Sequence, residues 1–300
     1  MRKRLEDIIK KGQLIENAPM KEYTSFKAGG TADLLVVPGS EDELEAAVRA
    51  LADEGTEYMV MGNGSNILVR DGGYRGVIIK ISECCSEIAG DGPVFEIGAA
   101  VSLAAAAKYM QSIGYTGMEF AGGIPGSIGG AAFMNAGAYD GEMKDIIRAV
   151  MLLKRDGSGR YALPTEKMDY GYRYSILYDT GDIVTGISVE LEPGDKDKIM
   201  EKMQDLNKKR NTKQPVNYPS AGSFFKRPEG HYAGKLIQDA GLKGLTVGGA
   251  QVSELHSGFV INIGGATAAD IIQLMHLVQA RVSEQAGVML EPEVRIIGED

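Results

Sequence analysis

Two stretches of this chain are almost devoid of side chains, and they limit what it can fold around. One is Gly62-Asn63-Gly64-Ser65-Asn66. The other runs Ala121-Gly122-Gly123-Ile124-Pro125-Gly126-Ser127-Ile128-Gly129-Gly130 and continues through Asn135 and Gly137 to Tyr139. Glycine accounts for 40 of the 300 residues, against a usual share of roughly 7%, with no collagen-like period. Glycine at this density marks either turns with positive φ or main chain that must lie close to a ligand. An ordinary surface loop would be more polar than the second stretch, and a buried one would leave its amides unpaired. A ligand with a pyrophosphate and a planar ring resolves both difficulties. The first stretch alone reads as a tight turn between strands or as a nest of inward amides for phosphate oxygens.

Composition narrows the classes further. The formal charge of −9 speaks against a general nucleic-acid binder, which needs a basic face to neutralise phosphates. No apolar run approaches the roughly 20 residues that span a bilayer, so no membrane partner is expected. The basic start, Met1 to Arg4, is followed by Leu5-Glu6-Asp7-Ile8-Ile9, where a secretion signal would be apolar. A soluble, cytoplasmic protein is the expectation. Cys84 and Cys85 are adjacent and without His or Cys companions, so they read as structural thiols, and no metal site is expected.

The periodicity reads as α+β. A helix is expected over about Ser40 to Glu54, where Ser40 and Glu43 have capping-box spacing and Leu44, Ala47, Val48 and Leu51 share a face. Strand-like runs at 32–37, 58–61 and 76–81 surround it. A second helix, near Ser102 to Ile113, stops at Gly114. Strands follow at 146–153 and 182–191, then an amphipathic helix through Ile199, Met203 and Leu206. The Pro- and Gly-containing segment 211–222 reads as a crossing between domains. Beyond it come a helix near 234–240, strands near 245–248 and 258–263, a long helix from Thr267 with Asp270 at capping spacing, and a last strand at 293–297. The expected division is 1–85 and 86–212 as two α/β subdomains, with 213–300 as a third unit whose last strand returns to the site.

Familiar nucleotide fingerprints are missing. No Gly-Lys-Ser/Thr ends either loop, so a P-loop is not expected. Gly157-Ser158-Gly159-Arg160-Tyr161-Ala162 fits the dinucleotide pattern in its alanine form. It lies between strand-like runs, however, where the motif requires strand then helix, and it reads as a hairpin turn.

The two loops occur in order with Tyr172-Arg173-Tyr174-Ser175, Ala221-Gly222-Ser223-Phe224-Phe225-Lys226-Arg227-Pro228 and Glu291-Pro292-Glu293-Val294-Arg295. Together, from about Thr24 to Gly298, they resemble the UDP-N-acetylenolpyruvoylglucosamine reductase family, in its shorter class without the extra tyrosine loop. The resemblance implies a two-subdomain FAD-binding unit of the vanillyl-alcohol-oxidase (PCMH) type, followed by a C-terminal α+β substrate domain. It implies NADPH as hydride donor, a nucleotide-sugar substrate with an enolpyruvyl group, and a place in peptidoglycan synthesis. All three histidines, His231, His256 and His276, lie in the last third of the chain, so FAD is expected to be held non-covalently. An oxidase of an alcohol or hydroxy acid on the same fold is the other activity considered.

Carried over residue by residue, the resemblance makes Arg173, Ser223 and Glu293 catalytic. Arg173 and Glu293 flank the substrate carboxylate, and Ser223 supplies a proton. The cofactor cradle is Gly62, Asn63, Gly64, Ser65 and Asn66, with Gly122, Gly123, Ile124, Pro125, Gly126, Ser127, Gly130 and Asn135. Tyr139, Tyr172, Lys213 and Arg227 are substrate contacts, the last two near the diphosphate. By residue type alone, Arg173 suits a surface, Ser223 a turn and Glu293 a solvated strand end. Lys226 and Lys235 are further candidates that also suit solvated lysines, and His256, which could face the nicotinamide or substrate pocket, reads first as a turn histidine.

Overall fold

The computed structural model describes residues 1–139 and 141–300. The chain forms two compact units: Met1–Glu16, Leu34–Asn63 and Gly76–Lys209 make the first, and Asn17–Asp33, Gly64–Arg75 and Arg210–Asp300 the second. Among the described residues no helix is long and apolar enough to cross a membrane.

The first unit contains the Glu41–Asp53 helix, which buries Leu44, Ala47, Val48 and Leu51 in one core with Leu34, Val36, Val77 and Ile79. Strand Tyr58–Met61 runs parallel to Tyr74–Lys80, and the helix leads into it from strand Thr31–Val37. Ser40 caps the helix by accepting the Glu43 amide at 3.3 Å, as its position predicts. The reciprocal half of the capping box is replaced by a different arrangement. Glu43 turns its carboxylate to the amides of Lys10, Lys11, Gly12 and Gly39 at 2.6–3.1 Å.

A five-stranded antiparallel sheet completes this unit, in the order Arg160–Pro164, Ile147–Leu153, Ile183–Glu190, Val94–Gly98, Ile88–Ala89. The Leu103–Ile113 helix begins at the Ser102 cap and ends at Gly114 in the left-handed region, φ 84°. Gly157 and Gly159 lie in the connection between antiparallel partners 149–153 and 160–164, so that dinucleotide-like pattern is a hairpin.

The second glycine stretch is more structured than a flat loop. It folds into a 3-10 turn, Glu119–Gly123, and a short helix, Ile128–Phe133, capped by Ser127. The amides of Ile128 and Gly129 donate to the carbonyls of Val101 and Ala99. Part of the expected amide array is therefore occupied by the chain's own backbone. The helix expected near Ile199 is longer than its apolar spacing suggests, running over Lys196–Lys213.

The second unit is a four-stranded antiparallel sheet, ordered Ser220–Ser223, Phe259–Asn262, Ala250–Val252, Thr246–Val247. The Ala268–Ala286 helix buries Ile271, Leu274, Val278 and Val282 completely, each worth about 1.5–3 kcal/mol relative to exposure. Both halves of its capping box form: Asp270 donates its amide to Thr267 Oγ1, and Thr267 donates its own to Asp270 Oδ2, each at 3.0 Å. Strand Ile67–Val69, which leaves the first glycine loop, pairs in parallel with the chain's last strand, Arg295–Ile297.

Candidate active site

Gly62 and the second glycine stretch meet inside the first unit. A β-carbon built on Gly62 would lie 2.2 Å from Ser127 Oγ, closer than any real contact. A side chain at Gly62, at the point where strand Tyr58–Met61 ends, would therefore force the Ser127 hydroxyl to move. Ser127 is buried and holds its hydroxyl toward the Gly130 amide as the helix cap. Gly130 is itself exposed, and a β-carbon built there would meet only that hydroxyl beyond its own helix backbone, at 3.7 Å. Pro125 and Asn63 are exposed, Gly122, Gly123 and Ile124 are half-buried, and Gly126 has φ 139°.

On the second unit, Gly64 is buried at φ 62° and its carbonyl accepts from the Ser25 amide at 3.1 Å. Ser65 and Asn66 are half-buried. The neighbouring Thr24 is 2% exposed and its hydroxyl finds no hydrogen-bond partner among the described residues. Sequence reading passed over Thr24, which has no motif around it; only burial identifies it. Side-chain-poor main chain on the first unit, and neutral Ser, Thr and Asn donors with one orphaned buried hydroxyl on the second, are each of a kind that fits a flavin dinucleotide.

The second unit also brings Ser223 and Glu293 together. Ser223 ends the Ser220–Ser223 strand, opposite Phe259. The residues just after it run antiparallel to 291–293: the Glu293 amide donates to the Phe224 carbonyl and the Lys226 amide to the Glu291 carbonyl, both at 2.8 Å. Asn66 grips this segment from its other side, its Nδ2 donating to the Glu293 carbonyl at 3.1 Å and its carbonyl accepting from the Arg295 amide at 3.0 Å. Asn66, expected as a cofactor residue, therefore also aligns Glu293. Ser223 is exposed and Glu293 half-buried.

Arg173 belongs to the first unit. It occupies a tight turn in which Gly171 and Tyr174 exchange backbone hydrogen bonds, and it adopts φ 57°. Its guanidinium donates to the carbonyls of Asn135 at 3.4 Å and Gly137 at 3.1 Å, and lies 5.1 Å from the centre of the Tyr172 ring. Tyr172 and Tyr139 are both exposed. Asn135 differs from expectation: it is fully buried and its carboxamide bonds to the protein itself.

The remaining candidates separate clearly. Lys213 is exposed on the last turn of its helix, and Arg227 stacks its guanidinium 4.1 Å from the Tyr232 ring centre. Lys226 pairs with Glu291 at 3.3 Å, and Lys235 pairs with Asp239 one helical turn away. His256 is a turn residue. Its Nδ1 accepts the Gly258 amide at 3.1 Å, and burial pushes the imidazole below its ordinary value.

Comparison with known proteins agrees with these features. Residues 32–160 match the FAD binding domain family, and 214–297 match the family described as UDP-N-acetylenolpyruvoylglucosamine reductase, C-terminal domain. A reductase of that name from Alkaliphilus oremlandii is 48% identical over 99% of this chain and 98% of its own length. The chain belongs to the UDP-N-acetylenolpyruvoylglucosamine reductase family. A relative from Clostridioides difficile is 46% identical over 99% of this chain and 97% of its own. The crystal structure of the Thermus caldophilus reductase superposes with a TM-score of 0.81 at 35% identity, covering 96% of this chain and 99% of that one. A variant of Phl p 4, a glucose oxidase, shares the fold alone, with a TM-score of 0.50 at 12% identity over 65% of this chain and 44% of its own. The architecture is α+β: an FAD-binding unit followed by the family's C-terminal domain.

Proposed function

We propose that this chain is an NADPH-dependent flavoprotein that reduces the enolpyruvyl group of UDP-N-acetyl-3-O-(1-carboxyvinyl)-glucosamine, giving UDP-N-acetylmuramate for peptidoglycan synthesis. The observation that carries this reading is the backbone pairing that seats Ser223 beside Glu293 within a chain of this family. Non-covalent FAD, held by the loops at 62–66 and 122–130, supplies the relay of hydride from NADPH to the terminal vinyl carbon.

As that carbon gains hydride, negative charge develops on the substrate carboxylate, and stabilising such charge is usually the largest contribution a protein makes. Arg173 presents a planar, two-pronged cation suited to a carboxylate. Glu293, when protonated, donates a hydrogen bond to the same developing enolate. The Ser223 hydroxyl then gives its proton to the adjacent carbon from within about 3 Å and is reprotonated from solvent. A serine serves here because the enolate is a strong base. Lys213 and Arg227 bind the diphosphate, which an acidic protein must meet with local cations, and Tyr139 and Tyr172 face the substrate.

The test is an anaerobic titration of the purified protein. NADPH is expected to bleach the flavin band and the enolpyruvyl nucleotide sugar to restore it. Bleaching by a hydroxy acid, with no response to NADPH, would replace the reductase by an oxidase.

A further inference from the structure

Seven non-glycine residues among those described have positive φ, and four of them fall in two short segments: Asn135 (48°) and Tyr139 (52°), Asp169 (49°) and Arg173 (57°). Each such residue costs on the order of 1–2 kcal/mol and persists only where its surroundings enforce it. The enforcing group is visible. Asn135 Nδ2 donates to Glu142 Oε2 at 2.5 Å and to the Gly171 carbonyl at 3.0 Å, while its Oδ1 accepts the Lys144 amide at 3.0 Å. Its own carbonyl accepts from Arg173 Nη1. One buried side chain thereby joins three segments: the end of the Ile128–Phe133 helix, the 142–144 turn and the base of the 171–174 turn. Ser175 adds a second tie, its hydroxyl donating to the Phe133 carbonyl at 2.5 Å.

We infer that Asn135 is a positioning residue for Arg173 rather than a cofactor ligand, because its side chain anchors the turn that carries Arg173 and its carbonyl holds the guanidinium. The inference rests on the reading of Arg173 as the group that binds the substrate carboxylate. A fully buried carboxamide with both donors and its oxygen bonded to the protein has no face for a flavin. Losing it leaves the Gly171 carbonyl with only the Tyr174 amide and frees the strained turn of Arg173 from the 142–144 turn.

The experiment uses the flavin-loaded enzyme with Asn135→Asp and Asn135→Gly, both of which tolerate the left-handed backbone. Glu142→Gln is the third variant; it weakens the same clamp from outside and leaves Asn135 in place. Flavin content and the rate of bleaching by NADPH should stay within about twofold of the parent. The value of kcat/KM for the enolpyruvyl substrate should fall about 10- to 100-fold in the Asn135 variants, and in the same direction but less in Glu142→Gln. Combined with Arg173→Lys, Asn135→Gly should cause little further loss, since it acts through a group already altered. Loss of flavin from variants that keep their thermal stability would overturn the inference and return Asn135 to the cofactor site. Losses that multiply in the double variant would also overturn it. Normal turnover in Arg173→Lys would instead defeat the reading of Arg173 itself.

Discussion

At the scale of single residues, the chemistry divides between groups that act and groups that hold them. Ser223 is exposed at a strand end with Glu293 brought alongside by its neighbour's carbonyl, an arrangement suited to giving up a proton. Ser223→Ala is therefore expected to retain flavin and bleach normally with NADPH, while reoxidation by the enolpyruvyl substrate slows about 10²- to 10⁴-fold. Stopped-flow absorbance separates the two half-reactions, and an unaffected second phase would remove Ser223 from the mechanism. Ser223 and Glu293 were legible as motif members. Only the family resemblance set them at one site; the backbone pairing that does so was not legible, because nothing local to either residue specifies which strand it will meet.

Among elements, the clearest dependence is that of the Glu41–Asp53 helix on Glu43. The side chain is 7% exposed, and burial alone would raise its pKa. The amides of Lys11, Gly39, Lys10 and Gly12 outweigh that and hold the carboxyl below its ordinary value. A carboxylate with a lowered folded pKa stabilises fully above its unfolded value, about 4.3, and that contribution is lost as pH falls through the folded value. Glu43→Ala should cost on the order of 3 kcal/mol at pH 7, seen as a lower melting temperature. The gap between parent and variant should narrow as pH falls from about 5 toward 3. A gap independent of pH would mean that packing, not the charged hydrogen bonds, is what Glu43 contributes.

For the molecule as a whole, the proposed role of the loops at 62–66 and 122–130 is tested through folding stability. A ligand that binds only the folded state stabilises it by mass action, about 2.7 kcal/mol at one hundred times its dissociation constant. Protein stripped of flavin is thus expected to melt several degrees lower, with the melting temperature rising with added FAD but not with riboflavin, which lacks the pyrophosphate. Equal stabilisation by riboflavin would show that the glycine stretches do not engage the dinucleotide half.

What the sequence determined by itself was whatever has a local cause. Ser102 with Gly114, and Thr267 with Asp270, mark helix ends because capping satisfies amides and carbonyls within a few residues. The motifs were likewise readable in order along the chain. Two-residue strands such as Ile88–Ala89 and Gly137–Ala138 are too short to show any period, so they existed only once partners were in place. Tertiary structure alone decided that Gly62 would meet Ser127, that Glu43 would turn from its own helix end to the Lys10–Gly12 bend, and that Asn135 would face inward to anchor Arg173. A polar side chain takes whichever donors and acceptors packing leaves within about 3 Å, and that choice is made between segments distant in sequence.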